Sequence, residues 1–336
     1  MAIFAKSAGS RPVPNRCERV IIFGQGRHIE QWRQMTEGYQ QIHFCTNLTE
    51  LTRLPVKGSA ILFAHTYLWF GLKLALRFKL KGYSLVMRRW MGTDLLLLKR
   101  LSAINKLWVL PILRHCIDCN FTSAPWLSDD LKRLAFTNVH NWEAPTPLYQ
   151  LSKKLSKQDI EQNWQARTKV IIIYSNDQRE WLYRTEQMLA LAKSLPDYQF
   201  VLVGHLNKQL SSLANVQSLG IVEQDQMHQL YLRSHFLIRI TEHDGYSRMV
   251  VEAQQYGLQV ISNQPRLFAH FADSNEQIID VLRSIQRPNP HARHYALTHF
   301  TPQKWTQTLL KQLQSGDGTN TAKVDCDYIS SSEAKR

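Results

Sequence analysis

Cysteine is sparse in this chain: five residues, at positions 17, 45, 116, 119 and 326 of 336. So few thiols form no disulfide framework and point to a reducing, cytoplasmic setting. Cys116 and Cys119 make one Cys-x-x-Cys without a second pair, which reads as buried free thiols rather than a metal or redox centre. No run of about 20 apolar residues occurs, so no transmembrane helix is expected. Ser, Pro and Arg precede the first strand without a long apolar run, so no signal peptide is expected either. The turn Gly24-Gln25-Gly26 lacks the third glycine of the dinucleotide fingerprint, which disfavours an ordinary dehydrogenase. No nucleic-acid-binding motif is recognisable. Metal ligands at credible spacing are also missing, so no metal is expected. Asp325-Cys326-Asp327 matches an Asp-x-Asp metal site in letters only, within a tail poor in apolar residues.

Acidic residues are few in the first half. Residues 1–168 hold 24 Lys and Arg against 11 Asp and Glu, a net +13, whereas residues 169–336 hold 17 against 16. The basic half could meet nucleic acid, an anionic membrane surface or an anionic acceptor. The length leaves room for two ordinary domains, and 44% apolar residues suit a globular chain.

The most informative stretch is 236–261. Residues 236–240 are an apolar run fit for a buried parallel strand. Thr241-Glu242-His243-Asp244-Gly245 follows as a loop. Ser247 can then cap a helix carrying Met249, Val250, Ala253 and Tyr256 on one face, and Gly257 stops it. A second apolar strand, 258–261, completes a βαβ crossover. In open α/β sheets, ligands bind at the carboxyl ends of strands, where this loop lies. Asp244 and Glu252 are eight residues apart, about two helical turns. A carboxylate can accept two hydroxyls of a sugar or ribose diol. The helix start at 245–247 offers free N–H groups and a positive dipole end to a diphosphate. A capping Asp and a solvated Glu in an ordinary crossover would give the same letters.

This stretch resembles the donor-binding signature of retaining GT-B glycosyltransferases, the large family 4 group. That pattern is Glu, seven residues, Glu, with Gly after the first acid and Ala after the second. Here it reads Asp244-Gly245, Glu252-Ala253, then Gly257 and a strand. The first acid is Asp, as in a sub-group resembling Arg-x-Thr-x-His-Asp-Gly. The resemblance implies that Asp244 contacts donor sugar hydroxyls and Glu252 the nucleotide ribose. The backbone of Gly245, Tyr246, Ser247, Arg248 and Met249 would face sugar and phosphates. Retention of configuration and freedom from metal are likewise implied by the family.

A second match lies some 150 residues upstream. Residues 83–87 read as a strand running into Arg88-Arg89-Trp90-Met91-Gly92-Thr93-Asp94, similar to a segment the family often carries in its acceptor domain. There Gly92 and Thr93 would approach donor phosphates and Asp94 would bind acceptor or donor. Thr93 or Asp94 could equally be the cap of a Leu-rich helix, 95–101.

Other candidates are local. Gly24 and Gly26, between a strand at 19–23 and a helix, could let backbone approach an acceptor or phosphate, or form a tight structural turn. His65 ends a strand at 59–64 and could donate to sugar or phosphate, or cap the next helix. The helix at 67–80 is apolar nearly all round, with Lys73, Arg77 and Lys81 in one stripe; a core helix with a wet edge and a helix lying on a membrane both fit. The family often places an Arg and a Lys to neutralise the diphosphate. Arg179 and Arg184 have similar spacing without a following Lys-Gly, and Arg239 and Arg248 are further candidates. A surface salt bridge is the plain alternative for each.

The expected architecture is α/β of GT-B type, two Rossmann-like domains facing one cleft. A flexible arm, 1–18, precedes the acceptor domain, 19–148. A Lys-, Gln- and Ser-rich linker, 149–168, leads to the donor domain, 169–300. A helix at 301–314 packs back towards the first domain, and 315–336 is a disordered tail. The expected function is transfer of a sugar from a nucleotide-sugar co-substrate, with no further cofactor, to a glycan or lipid-linked acceptor in cell-surface polysaccharide synthesis. The setting is cytoplasmic, with the basic half as a peripheral contact to an anionic membrane, and no nucleic acid is expected as a partner. A GT-B-shaped binding or scaffold protein without turnover is the alternative. A basic nucleic-acid-binding protein is a further one, and would bind with steep salt dependence.

Overall fold

The computed structural model describes residues 17–24, 26–64, 66–165, 168–205 and 207–315. Short apolar strands alternate with helices twice along the chain. The first series runs β1 (Arg19–Phe23), α1 (Arg27–Met35), β2 (Ile42–Cys45), α2 (Leu48–Thr52), β3 (Ser59–Phe63), α3 (Leu68–Lys81) and β4 (Leu85–Trp90). It continues with α4 (Gly92–Arg100), α5 (Ala103–Cys116), β5 (Cys119–Thr122), α6 (Pro125–Arg133) and β6 (Val139–Asn141). Then come α7 (Tyr149–Lys153) and α8 (Lys157–Asn163). The second series is β7 (Val170–Ser175), α9 (Thr185–Ser194), β8 (Gln199–Gly204), α10 (Lys208–Ser211), β9 (Val216–Gly220), α11 (Gln224–Arg233) and β10 (Phe236–Arg239). It ends with α12 (Arg248–Gln255), β11 (Gln259–Ser262), β12 (His270–Phe271), α13 (Asn275–Ser284), α14 (Pro290–His299) and α15 (Pro302–Ser315).

Each series builds one parallel sheet. The orders are β2-β1-β3-β4-β5-β6 and β12-β11-β10-β7-β8-β9. Both sheets are covered on both faces, so their strands are apolar at consecutive positions rather than at alternate ones. In β1, Ile21 and Phe23 enter the core under α3 to α6, while Val20 and Ile22 enter the core under α1 and α15. In β7, Ile171 and Ile173 face one side of the second sheet and Ile172 the other. The strand order reverses between β1 and β3 in the first sheet and between β10 and β7 in the second. Crevices at carboxyl strand ends open at such points. The result is two Rossmann-like domains.

Four local expectations change. Strand β4 extends through Arg88, Arg89 and Trp90, all buried. Residues 115–122 read in sequence as one strand, but the strand starts only at Cys119; His115 lies in the last turn of α5, whose internal Pro111 hides the helical pattern. Residues 178–193, after the capping letters Ser175-Asn176-Asp177, read in sequence as one helix; the structure has a 3-10 turn, Asp177–Arg179, and then α9, because Arg184 adopts the left-handed conformation at φ 44°. Residues 149–163, expected as linker, form α7 and α8. Ser152 and Tyr149 are buried, and Gln255 of α12 accepts from Thr146 Oγ1 at 2.7 Å.

Helix α15 lies on the first domain. Trp142 and Trp305 stack with centroids 4.6 Å apart, and Trp142 Nε1 donates to the Trp305 carbonyl at 2.9 Å. Among the described residues, no helix is long and apolar enough to cross a membrane.

Candidate functional site

The crevice of the second sheet is built by β10, the loop after it and α12. Strand β10 ends at Arg239, and residues 240–247 carry the chain to Ser247 at the helix N-cap. Ser247 holds the cap position without a side-chain hydrogen bond, so the cap expected of its hydroxyl is not made. Val250 and Val251 N–H already donate to the Ser247 carbonyl, at 3.1 and 3.3 Å, which leaves the N–H groups of Arg248 and Met249 at the start of α12 without an intrahelical acceptor. The far end is closed by Gly257 at φ +75°. Gly257 N–H donates to Gln254 O and Leu258 N–H to Ala253 O, both at 2.9 Å. This is the Schellman arrangement, which accepts glycine most readily at that position.

Asp244 is held from two sides. Its Oδ2 accepts from Arg239 Nε at 3.0 Å and from Arg266 Nη2 at 3.4 Å. Burial opposes the charge on Arg239, but Asp244 and the rings of Tyr183 and Tyr174 outweigh it and raise its pKa. Arg266 also donates to the Gly245 carbonyl at 3.1 Å and lies beside the stacked rings of Trp126 and Tyr246, 5.3 and 5.1 Å from their centroids. Tyr246 stacks on Trp126 and packs on Phe300, so its side chain belongs to the contact between the domains.

Glu252 is 7% exposed, in the second turn of α12, and accepts from Tyr231 Oη at 3.0 Å. Burial pushes its carboxyl up to about 7, against the pull of Arg248 and the Tyr231 hydrogen bond. Arg248 reaches across to Gln31 of α1. Met249 offers its carbonyl to Tyr231 Oη at 3.5 Å.

The first domain closes on this loop. Trp126 Nε1 donates to the Asp244 carbonyl at 2.8 Å. A Cβ on Gly92 would come 2.8 Å from the Gly245 nitrogen and 3.0 Å from the Asp244 carbonyl carbon. A Cβ on Gly245 would meet Ser123 Oγ at 2.6 Å. Main chain thus requires glycine at 92 for the close approach, whereas at 245 the obstacle is a hydroxyl that can turn aside. His243 stands in the same seam, its Nε2 3.9 Å from Asp130 Oδ2; burial, and then Lys99, lower its pKa. Arg89 is buried beside Trp32 and Trp142 and is pushed down to about 9, by burial and by Arg248.

The other sequence candidates divide. Asp94 does not cap α4 as its first residue. It sits at the third helical position, where Oδ1 accepts from Met91 N–H at 2.7 Å and Leu95 N–H at 2.9 Å. Its Oδ2 pairs with the fully buried Arg88 at 3.0 Å. Thr93 is one residue before it and makes no cap. Arg184 is bound by Glu242 at 2.6 Å and Asp273 at 2.5 Å, the salt-bridge alternative. Arg179 ends the 3-10 turn beyond β7, half-buried. Gly24 has Ile29 Cδ1 within 2.6 Å of where a Cβ would stand, so packing requires it. Gly26 begins α1 at φ +88° with open space around it. His65 and Asp325-Cys326-Asp327 lie outside the described residues.

Arg266, Trp126, Tyr231 and His243 were not singled out from sequence. Arg266 follows the carboxyl end of β11, and the rule for open sheets could have found it. Trp126 and Tyr231 come from distant segments and carry no local signal. No group of three or more His, Cys, Asp or Glu suited to a metal occurs among the described residues.

No protein-family model matches the chain, and no curated protein matches it in sequence. Solved structures match it in fold. HepE from Anabaena, in complex with UDP and glucose, superposes with a TM-score of 0.66 at 13% identity, covering 88% of this chain and 100% of that one. Sucrose-phosphate synthase from Thermosynechococcus elongatus gives 0.62 at 13% identity, covering 89% and 100%. An α,α-trehalose-phosphate synthase (UDP-forming) from Burkholderia vietnamiensis gives 0.57 at 11%, covering 79% and 76%. The two Rossmann-like domains, their facing carboxyl strand ends and these neighbours define a GT-B fold.

Proposed function

We propose that this chain is a glycosyltransferase that moves a sugar from a nucleotide-sugar donor to a glycan or lipid-linked acceptor. The observation that carries the proposal is the pair Asp244 and Glu252 flanking the start of α12 at the reversal point of the second sheet. UDP-sugars are the donor class to try first, because HepE has been solved with UDP and with UDP-glucose. In this reading Glu252 accepts from the ribose diol. Asp244, oriented by Arg239 and Arg266, accepts from donor sugar hydroxyls. The N–H groups of Gly245 to Met249 and the α12 dipole hold the diphosphate. Arg248 and Arg239 offset charge as the diphosphate leaves. Gly92 and Thr93 close the donor from the first domain, and Gly24 and Gly26 border the acceptor side. The proposed reaction retains configuration and uses no bound metal, on the family resemblance. The proposed setting is the cytoplasmic face of a membrane, in cell-surface polysaccharide synthesis.

The test is a thermal-shift screen against UDP, GDP, ADP, CMP and their sugar conjugates. A ligand at 100 times its Kd stabilises by about 2.7 kcal/mol. The expected result is a raised melting temperature with one nucleotide series, lost in Glu252→Ala. No shift with any nucleotide, in folded protein, would sink the donor site and favour a binding scaffold.

A further inference from the structure

The outer face of the first domain is apolar where solvent meets it. Helix α3 exposes Trp69, Leu76 and Leu80, and α5 exposes Ile104, Leu107 and Trp108. Leu80, Ile104 and Leu107 are 86%, 76% and 77% exposed. Single exposed leucines are ordinary, but here Ile104, Leu107 and Trp108 of α5 meet α3 at Trp69, and Leu76 and Leu80 continue the same exposed face along α3. Trp69 and Trp108 stack across the two helices, with centroids 5.7 Å apart and planes 26° from parallel.

Charge on this surface has one sign. The exposed positions of α3 read Trp69, Lys73, Leu76, Arg77, Leu80, Lys81, one face of the helix with apolar and basic residues interleaved. Asp94 is the single acidic residue between 66 and 116, and it is buried against Arg88. Lys79 and Lys99 are paired with Asp118 and Asp130. Among the described residues, no carboxylate lies in ion-pair range of Lys73, Arg77, Lys81 or Lys106.

We infer that the exposed faces of α3 and α5 dock on an anionic lipid bilayer. Trp69, Trp108, Leu80, Ile104 and Leu107 enter the headgroup region, and Lys73, Arg77, Lys81 and Lys106 meet lipid phosphates. Tryptophan with long cationic side chains suits that boundary, since each has an apolar body and a polar end. A second copy of the chain is a poor occupant, because a two-fold contact sets the same cations against each other. RNA is also a poor one: it would satisfy the cations but leave the aliphatic side chains against a polar surface. Helix α3 begins directly after the carboxyl end of β3, the edge that faces the second domain. Docking would therefore bring the crevice beside the lipid surface. A lipid-linked acceptor follows from this, and that clause alone rests on the glycosyltransferase reading.

The experiment is vesicle flotation of the full chain at low salt. One population is pure phosphatidylcholine and the other holds about 30 mol% phosphatidylglycerol, enough to charge the surface. The protein is expected to float with the anionic vesicles and to stay behind with the neutral ones. The variant Lys73→Gln/Arg77→Gln/Lys81→Gln should partition on the order of a hundredfold more weakly, at about fivefold per cation. Leu80→Ser/Ile104→Ser/Leu107→Ser, at unchanged charge, should also lose binding. Both triplets are at the surface, and melting temperatures within a few degrees of the parent verify their folds. The proposal is overturned if the parent ignores anionic vesicles. It is equally overturned if both variants bind like the parent, if the face instead forms dimers, or if the parent prefers RNA to anionic vesicles and the triple-serine variant binds that RNA as well as the parent does. Nucleotide shifts measured on the same samples separate the two ideas: vesicle binding without any nucleotide shift leaves the docking face standing and removes only the donor site.

Discussion

Gly92 and Gly245 lie backbone to backbone where the two domains meet, so close that a Cβ on Gly92 would stand 2.8 Å from the Gly245 nitrogen. The obstacle to a side chain at Gly92 is main chain, which cannot rotate away. The obstacle at Gly245 is the Ser123 hydroxyl, which can. The two glycines are therefore unequal. Gly92→Ala should strain the closed form by about 1–3 kcal/mol and shift the molecule towards separated domains. Small-angle scattering should show a larger radius of gyration than the parent. Gly245→Ala should do so more weakly, and less still with Ser123→Gly beside it. Unchanged scattering for Gly92→Ala would mean that the closure is not tight at this point.

Glu252 makes stability depend on pH in a direction unusual for a carboxylate. Its pKa rises from an ordinary 4.5 to about 7, with burial the main cause. Between those values the folded chain holds a proton that the unfolded chain releases, so stability falls as pH rises. The contribution is complete below 4.5 and lost above about 7, a span of about 3 kcal/mol. Glu252→Gln keeps the shape without the titration. Its melting temperature should match the parent near pH 4.5 and exceed it at pH 8, while its nucleotide shift is weaker. A melting difference that does not vary with pH would refute the burial argument.

Asp94 and Arg88 form a buried pair, and Asp94 also holds the first turn of α4. Asp94→Asn leaves the Arg88 cation uncompensated and should cost about 3 kcal/mol in chemical denaturation. A variant with an unchanged midpoint that fails in turnover would instead assign Asp94 to the reaction.

Arg266 links Asp244, Gly245 and two aromatic rings. Arg266→Met should lose about 2 kcal/mol, the range for hydrogen bonds to a charged group. Because Asp244 is a direct partner, the costs of Arg266→Met and Asp244→Asn should not add, and should differ from their sum by about 0.5–3 kcal/mol. Additive costs in urea unfolding would show that the 3.4 Å contact carries no energy.

What could be read in the sequence was local. The crossover from β10 to β11 was legible because its apolar runs, its glycine stop and its two carboxylates lie within some 25 residues. Helix α5 was not, because Pro111 sits inside a run whose packing partner, α3, is far away in sequence. The two-domain fold followed from strand order, and the structure agrees. The surroundings of Asp244 were hidden for a different reason. Its contacts to Trp126 and Arg266 span 118 and 22 residues, and no periodicity encodes such meetings. The left-handed turn at Arg184 was hidden too, since arginine gives no hint of positive φ.

Helix α15 has a consequence for synthesis. The last described helix of the chain closes one face of the first domain, over Trp32 and Trp142. A growing chain therefore emerges from the ribosome with its first sheet half covered, and waits for the second domain to be made before the cover arrives. Domain-by-domain folding during translation is the usual route for long chains. Here the earliest domain is the last to be finished. A nascent chain stalled near residue 300 would present those tryptophans to chaperones, whereas one stalled past residue 315 and clear of the exit tunnel would not.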